Sequence, residues 1–393
     1  MLFTSIQLVL VLSVKYPAMK IGLLLLWVCL LLNACTDAPG KKVYAGLQVL
    51  KAYDTSRKFD TKGKSPSVYR PVKIDLYFPS EQEPKKQSLT YGNILDLYGN
   101  RMNYQVSPDS CRKASLEFTT AMADYLSIKN VQGILNVKTE IYADLSAPTS
   151  KHPLIIYASG MNGSSWENPL LFQSLAKKGY VVAVVSSVGL FPGYMSAAVD
   201  VNEQVSDILF TLNKLKKLDY IDATKVGLLS WSLGGTAAGK AAMLSKEFKC
   251  LLSYDGTEIH YYGEDKEWDK MYTEIVGAHP AKPENITIPY MYLSSEHPSK
   301  YDSVSNLLKK VKSEKKYFLK FKGSIHENFS SLPVIGLSAD PKAKNMDQGM
   351  QQLIHKLTFT FFDQYLKGTN SSIADTIVKI MDEKASKVSD QMP

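Results

Sequence analysis

The sequence predicts an α/β fold with a mostly parallel central sheet flanked by helices. Three observations carry this expectation. From Pro153 onward, apolar β-branched runs alternate with stretches of helical spacing. The segment Lys225–Lys240 (KVGLLSWSLGGTAAGK) joins a strand, a sharp turn and a helix with no intervening loop. Candidate chemical groups follow directly after the apolar runs, and loops at the carboxyl ends of parallel strands are where such groups sit.

The elements follow in order. Arg70–Pro79 alternates and reads as a strand. Glu81–Asn130 breaks the rhythm with turn-rich polar sequence and a helical candidate at Ser115–Tyr125, so an insertion is expected over about 81–130. Pro153–Ala158 is a buried strand, and Pro169–Lys178 is a helix closed by Gly179. Tyr180–Ser186 is a β-branched strand. Asn202–Lys216 is a helix with Val205, Ile208, Leu209, Leu212 and Leu215 on one side. Val226–Ser230 is the strand before the turn, and Leu233–Ser245 the helix after it. Cys250–Tyr254, Pro289–Leu293 and Lys316–Phe321 are further strands. A second insertion, 257–288, is expected to pack as a lid carrying Tyr261, Tyr262, Trp268 and Tyr272. Lys344–Leu366 is helical, and 370–393 reads as an amphipathic helix with a frayed tail. The main domain is expected over 69–369.

The chain has 393 residues, 45% hydrophobic and 21% charged, which is ordinary for one large globular domain or two small ones. The formal net charge is +8, to which Lys15 and Lys20 contribute two. The densest basic stretch, Lys309–Lys322, is interspersed with apolar residues and has no arginine–aromatic reading motif. It reads as a solvated helix face and strand edge, and no nucleic-acid partner is expected.

The N-terminus is more specific. Ile21–Leu32 is an apolar run too short to span a bilayer, preceded by Met19-Lys20. It ends in Leu32-Asn33-Ala34-Cys35, which resembles the lipobox of bacterial lipoproteins. That resemblance implies a signal peptide over 1–34, cleavage before Cys35, diacyl modification of its thiol, and a membrane-anchored protein of the bacterial cell envelope. Met1–Tyr16 adds a second apolar run with no role in such a signal, so translation is expected to begin at Met19. Residues 35–68 are then a lipidated tether running into the domain.

Cys29 lies in this leader, leaving Cys111 and Cys250. An oxidising envelope permits a disulfide between them, whereas the apolar run after Cys250 favours a buried free thiol. Both readings stay open. No Cys/His cluster has zinc-like spacing, and no metal or cofactor is expected.

The chemistry centres on Ser232. Gly234 and Gly235 follow it, and Ser230 stands where such turns usually carry glycine. Small residues let strand and helix backbones approach, lifting one hydroxyl to a helix N-terminus that favours negative charge. A nucleophilic serine needs a base, and the base an orienting acid. His326, after the strand KKYFLKF, lies where the base belongs in the chain order serine, acid, histidine. His152 sits at the wrong end of its strand, His297 directly follows Glu296, His260 and His279 lie in the long excursion, and His355 is mid-helix. Asp255 and Glu296 each end a strand between Ser232 and His326, and periodicity does not choose between them. The expected oxyanion donors are the N–H of Leu233 and the N–H of Met161, the latter in Ser159-Gly160-Met161-Asn162-Gly163.

These motifs together, with Ser-Tyr-Asp-Gly, Ser-Ser-Glu and Gly-Ser-Ile-His-Glu-Asn-Phe, resemble the α/β-hydrolases. They are similar in particular to the platelet-activating-factor acetylhydrolase branch, with dienelactone-hydrolase-like enzymes nearby. Asp54-Thr55-Ser56-Arg57 ahead of Arg70-Pro71-Val72 adds to the likeness, which runs from about Tyr44 to Leu366. The resemblance implies an α/β-hydrolase fold with insertions, and a Ser232–Asp255–His326 serine esterase acting on short-acyl or acetyl esters of small molecules, lipids or sugars among them. It selects Asp255 as the acid, with Glu296 as the alternative. Ser159 departs from the histidine frequent in that branch, and Ser232 from the cysteine of dienelactone hydrolases. The competing readings are a non-catalytic hydrolase-fold binding protein and a serine peptidase.

Overall fold

Apolar runs without polar alternation form strands covered on both faces. In the computed structural model these runs become the middle of a ten-stranded sheet. The structure describes residues 41–59, 68–125, 128–190, 195, 198–260, 282–296, 310–341, 348–384 and 388–390. The expected signal peptide, the start at Met19 and Cys35 lie outside the described residues, as do Tyr261, Tyr262, Trp268 and Tyr272.

The strands are β1 (Tyr44–Phe59), β2 (Val68–Ser80), β3 (Ile141–Tyr142), β4 (His152–Ala158), β5 (Val181–Val185), β6 (Ile221–Trp231), β7 (Phe248–Tyr254), β8 (Tyr290–Ser294), β9 (Lys316–Phe321) and β10 (Val388–Asp390). Their order across the sheet is β10-β9-β8-β7-β6-β4-β5-β2-β1-β3. Neighbours from β5 through β9 are parallel. β2 pairs antiparallel with β5, and β1 antiparallel with β2. The chain places β5 on one side of β4 and then returns to set β6 on the other. This reversal opens a crevice at the carboxyl ends of β4 and β6.

Helices cover both faces. On one, Ala198–Leu215 and Leu233–Leu244 pack Val205, Ile208 and Leu212 with Ala237 and Ala241. Helices Pro169–Lys177 and Gln348–Phe362 cover the other with Leu171, Leu175, Leu357 and Phe361. From Leu233 through Met243, every residue of the elbow helix is buried. Its Gly- and Ala-rich composition fits a helix enclosed on all sides.

The structure differs from the sequence reading in three places. Much of the segment read as a tether is β1, a sixteen-residue strand. It buries Ala45, Leu47, Ala52 and Phe59 between exposed residues, so it never shows a continuous apolar run. The first insertion holds two helices, Tyr91–Asp96 and Pro108–Tyr125, and a third, Val131–Asn136, follows it directly. The middle one starts before Ser115 because Asp109, Arg112 and Lys113 are exposed and give its first turns no apolar period. Beyond helix Ile373–Lys384 the tail returns as β10, antiparallel to β9. Of the two readings left open for Cys111 and Cys250, the structure has the free thiols, both buried.

A buried ion network ties β2 to the helix Ala198–Leu215. Arg70, fully buried, donates to Asp207 Oδ1 at 2.8 Å and Oδ2 at 2.6 Å. It also donates to the carbonyls of Val188 at 2.7 Å and Gly189 at 2.8 Å, in the loop after β5. Arg57 bridges the same Asp207 to Asp54 with contacts of 2.6 and 2.7 Å. Removing Asp207 takes away the two short carboxylate contacts of the buried Arg70 guanidinium and leaves it only the longer carboxylate contact, to Glu203 at 3.3 Å. Asp207→Ala is expected to destabilise the protein by about 3–5 kcal/mol, read from urea unfolding.

Candidate active site

β6 ends at Trp231 and its helix begins at Leu233, so Ser232 alone turns the chain. Its backbone is held at φ 56°, ψ −130°. The Ser232 N–H donates to Tyr254 O at 3.0 Å, and its carbonyl accepts from Gly235 at 2.9 Å and Thr257 at 3.0 Å. A Cβ at Gly234 would lie 2.1 Å from Ala158 O, so the helix start rests directly on the end of β4. Among the described residues, the non-glycine positive-φ positions are Asn162, Ser232 and Asp255. They follow β4, β6 and β7. Positive φ is costly for such residues and persists where the surroundings enforce it, so the strain gathers around one crevice.

Asp255 is buried at the end of β7, its N–H donating to Leu293 O at 2.7 Å. Ser295 donates to its carboxylate twice, from the backbone N–H to Oδ1 and from the hydroxyl to Oδ2, both at 2.8 Å. Oδ2 also accepts from His326 Nδ1 at 2.7 Å. This leaves the His326 Nε2 edge for a proton transfer. His326 starts a short 3-10 turn after β9 and is about a third exposed at its side chain. Its ring stacks on Trp231 with centroids 4.9 Å apart and planes 22° apart, and Trp231 Nε1 donates to His326 O at 3.3 Å. The residue before the serine is thus the platform for the histidine. Among the described residues the Ser232 hydroxyl makes no hydrogen bond to His326, and catalytic contacts of this kind often tighten only around substrate.

Glu296 is exposed, and its carboxylate accepts from the backbone N–H of Gly323 at 2.5 Å. The structure therefore brings Asp255, rather than Glu296, to His326. His152 lies at the amino end of β4, its Nδ1 donating to Gly179 O at 3.0 Å. His355 lies on the helix Gln348–Phe362, where burial lowers its pKa to about 4. His279 and His297 are outside the described residues.

The loop after β4 stands against the serine. A Cβ at Gly160 would be 3.1 Å from Ser232 Cβ. Leu233 is the first residue of its helix, so its N–H has no acceptor within the helix. Met161 and Leu233 thus flank Ser232 on the chain segments that meet there.

Sequence reading missed several residues around this centre. Trp231 lies inside the recognised motif, but stacking partners are not visible from sequence. Ser295 lies in the Ser-Ser-Glu motif with no role assigned to it, and Ser187 and Glu167 carry no motif at all. Glu167 is fully buried, accepting from Tyr157 Oη at 2.9 Å and from Gly160 N at 3.0 Å. Desolvation raises its pKa to about 8, against the hydrogen bonds from Tyr157 and Gly160.

Comparison with known proteins agrees with this fold. Residues 166–310 match the prolyl oligopeptidase family. The dipeptidyl-peptidase 5 of Porphyromonas endodontalis is 26% identical over 166 residues, which are 38% of this chain and 23% of that protein. The match therefore spans less than a quarter of the relative's length. Among solved structures, a ferulic acid esterase from Streptomyces cinnamoneus superposes with a TM-score of 0.62 at 18% identity, covering 91% of this chain and 98% of that one. The structure of DcsB in complex with its substrate analogue aligns at 15% identity with a TM-score of 0.40, over 56% of this chain and 92% of that one. The chain has the α/β-hydrolase fold, and the matches support a place in the serine hydrolase superfamily built on it.

The buried Glu167 gives a pH signature. Its ordinary value is 4.5 and its folded value about 8, so between them the folded chain holds a proton that the unfolded chain has lost. The stability tied to that proton is fully present below about pH 4.5 and is lost as pH rises through about 8. Urea unfolding across this interval is expected to show a shallower pH dependence for Glu167→Gln than for the wild type.

Proposed function

We propose that the protein is a serine esterase that cleaves carboxylic esters, with short-acyl or acetyl esters as the substrate class. The observation that carries this reading is the His326–Asp255 pair stacked on Trp231, directly beside the strained Ser232. His326 Nε2 takes the Ser232 proton as Oγ attacks the ester carbonyl. Asp255 holds the ring by Nδ1 and stabilises the imidazolium. The N–H groups of Leu233 and Met161 receive the oxyanion. His326 then protonates the leaving alcohol, and water releases the acyl group by the same steps in reverse order.

A peptidase reading is favoured by the match to the prolyl oligopeptidase family and to a dipeptidyl-peptidase. The two readings share one nucleophile and differ in leaving group. A panel of p-nitrophenyl esters and dipeptidyl-p-nitroanilides separates them: turnover confined to the anilides overturns the esterase reading. Ser232→Ala is expected to stay folded while losing ester turnover and fluorophosphonate labelling. Asp255→Asn should lower kcat by about 10⁴, and Glu296→Gln should leave it within about threefold. Equal losses at Asp255 and Glu296 would overturn the assignment of the acid.

We also propose that Cys35 carries a lipid anchor holding the domain at a bacterial envelope membrane. Its support is the short apolar run ending in Leu-Asn-Ala-Cys. No helix among the described residues is long and apolar enough to cross a membrane. Cells fed a labelled fatty acid are expected to label the wild type, and Cys35→Ser should carry no label.

A further inference from the structure

The loop after β4 is gripped from two sides. On one side Glu167 accepts from Gly160 N at 3.0 Å and from Tyr157 Oη at 2.9 Å. The pocket for its carboxylate is shaped by glycine, since a Cβ at Gly163 would fall 1.7 Å from Oε1. On the other side Ser187 Oγ lies 2.6 Å from Gly160 O and 3.0 Å from Ser159 O. Gln204 Nε2 donates to Ser159 O at 2.6 Å and to Ser187 Oγ at 2.9 Å. With its lone pair engaged by Gln204 and Ser159 O already served, the single Ser187 proton goes to the closer acceptor, Gly160 O.

The consequence follows from peptide planarity. Gly160 C=O and Met161 N–H belong to one rigid trans unit and point in opposite directions. A hydrogen bond that fixes the carbonyl therefore aims the N–H. Glu167 fixes the preceding peptide through Gly160 N, so the two planes cannot rotate together. All four side chains of the grip, Glu167, Ser187, Gln204 and Tyr157, are buried. Glu167 is also joined to the histidine segment: its carbonyl accepts from Ser331 N at 2.8 Å, and neighbouring Asn168 donates to Phe329 O at 3.1 Å.

We propose that Glu167 and Ser187 are positioning residues that clamp the Gly160–Met161 peptide and aim its N–H at the oxyanion formed on Ser232. This rests on the ester-hydrolysis reading above. The clamp acts on the transition state, so its loss should appear in kcat rather than KM.

The test measures kcat and KM on p-nitrophenyl acetate, with thermal melts and fluorophosphonate labelling rates, for the wild type, Glu167→Ala, Ser187→Ala and Glu167→Gln. Folded alanine variants are expected to lose about 10- to 100-fold in kcat with KM changed less than about threefold. Glu167→Gln keeps an acceptor for Gly160 N and is expected to recover most of the rate. Should Glu167→Ala fail to fold, Glu167→Met, which keeps the volume without a strong acceptor, is read in the same way. Folded variants with wild-type kcat, a loss confined to KM, or no recovery in Glu167→Gln overturns the clamp. A wild type that neither turns over ester nor labels at Ser232 instead overturns the ester reading, and the clamp with it.

Discussion

Two backbones meet at the end of β4 with no room for a side chain between them. Gly234 sits where a Cβ would strike Ala158 O, and the site depends on that contact. It lets the helix start immediately after the strand, which forces Ser232 to positive φ and turns its side chain out of the sheet. The same closeness brings the loop after β4 against the serine, so the expected oxyanion donors come from both sides of one junction. The cost of the strained residue is met by burial: the helix that follows is enclosed along its length, and the sheet around it is apolar on both faces.

The strand ends form a graded set of supports around that junction. Asp255 takes the strained position after β7 and is fastened by Ser295, from the end of β8. His326 enters from the turn after β9 and rests on Trp231. Each group is thus set by two elements, one that carries it and one that restrains it. Such redundancy suits groups that must keep one orientation through a reaction, because a single restraint leaves a ring or carboxylate free to rotate.

The strands from β4 to β9 were legible because fully buried parallel strands leave unbroken apolar runs, and the elbow because close packing restricts residues to glycine, alanine and serine. β1 was not legible, since only alternate stretches of it are buried and its exposed Lys51, Thr55, Ser56 and Lys58 read as linker. β10 is three residues long and offers no pattern at all. At the site, Ser232, Asp255 and His326 could be placed from their positions after strands. Position alone did not choose Asp255 over Glu296, because both end a parallel strand; the family resemblance pointed to Asp255, and the coordinates put its carboxylate, rather than that of Glu296, on His326. Glu167 was hidden for a different reason: a lone glutamate beside a tryptophan looks like surface until its burial is known.

The aromatic contacts reach further than the histidine. Phe118, on the helix Pro108–Tyr125, packs against Trp166 at 4.8 Å, and Trp166 meets Trp231 edge-on at 6.5 Å before Trp231 stacks on His326. The first insertion is therefore not a detachable ornament on the sheet. An exchange of this insertion between related chains would transplant part of the support of His326 along with it. A graft that ignores Phe118 changes the seat of that ring.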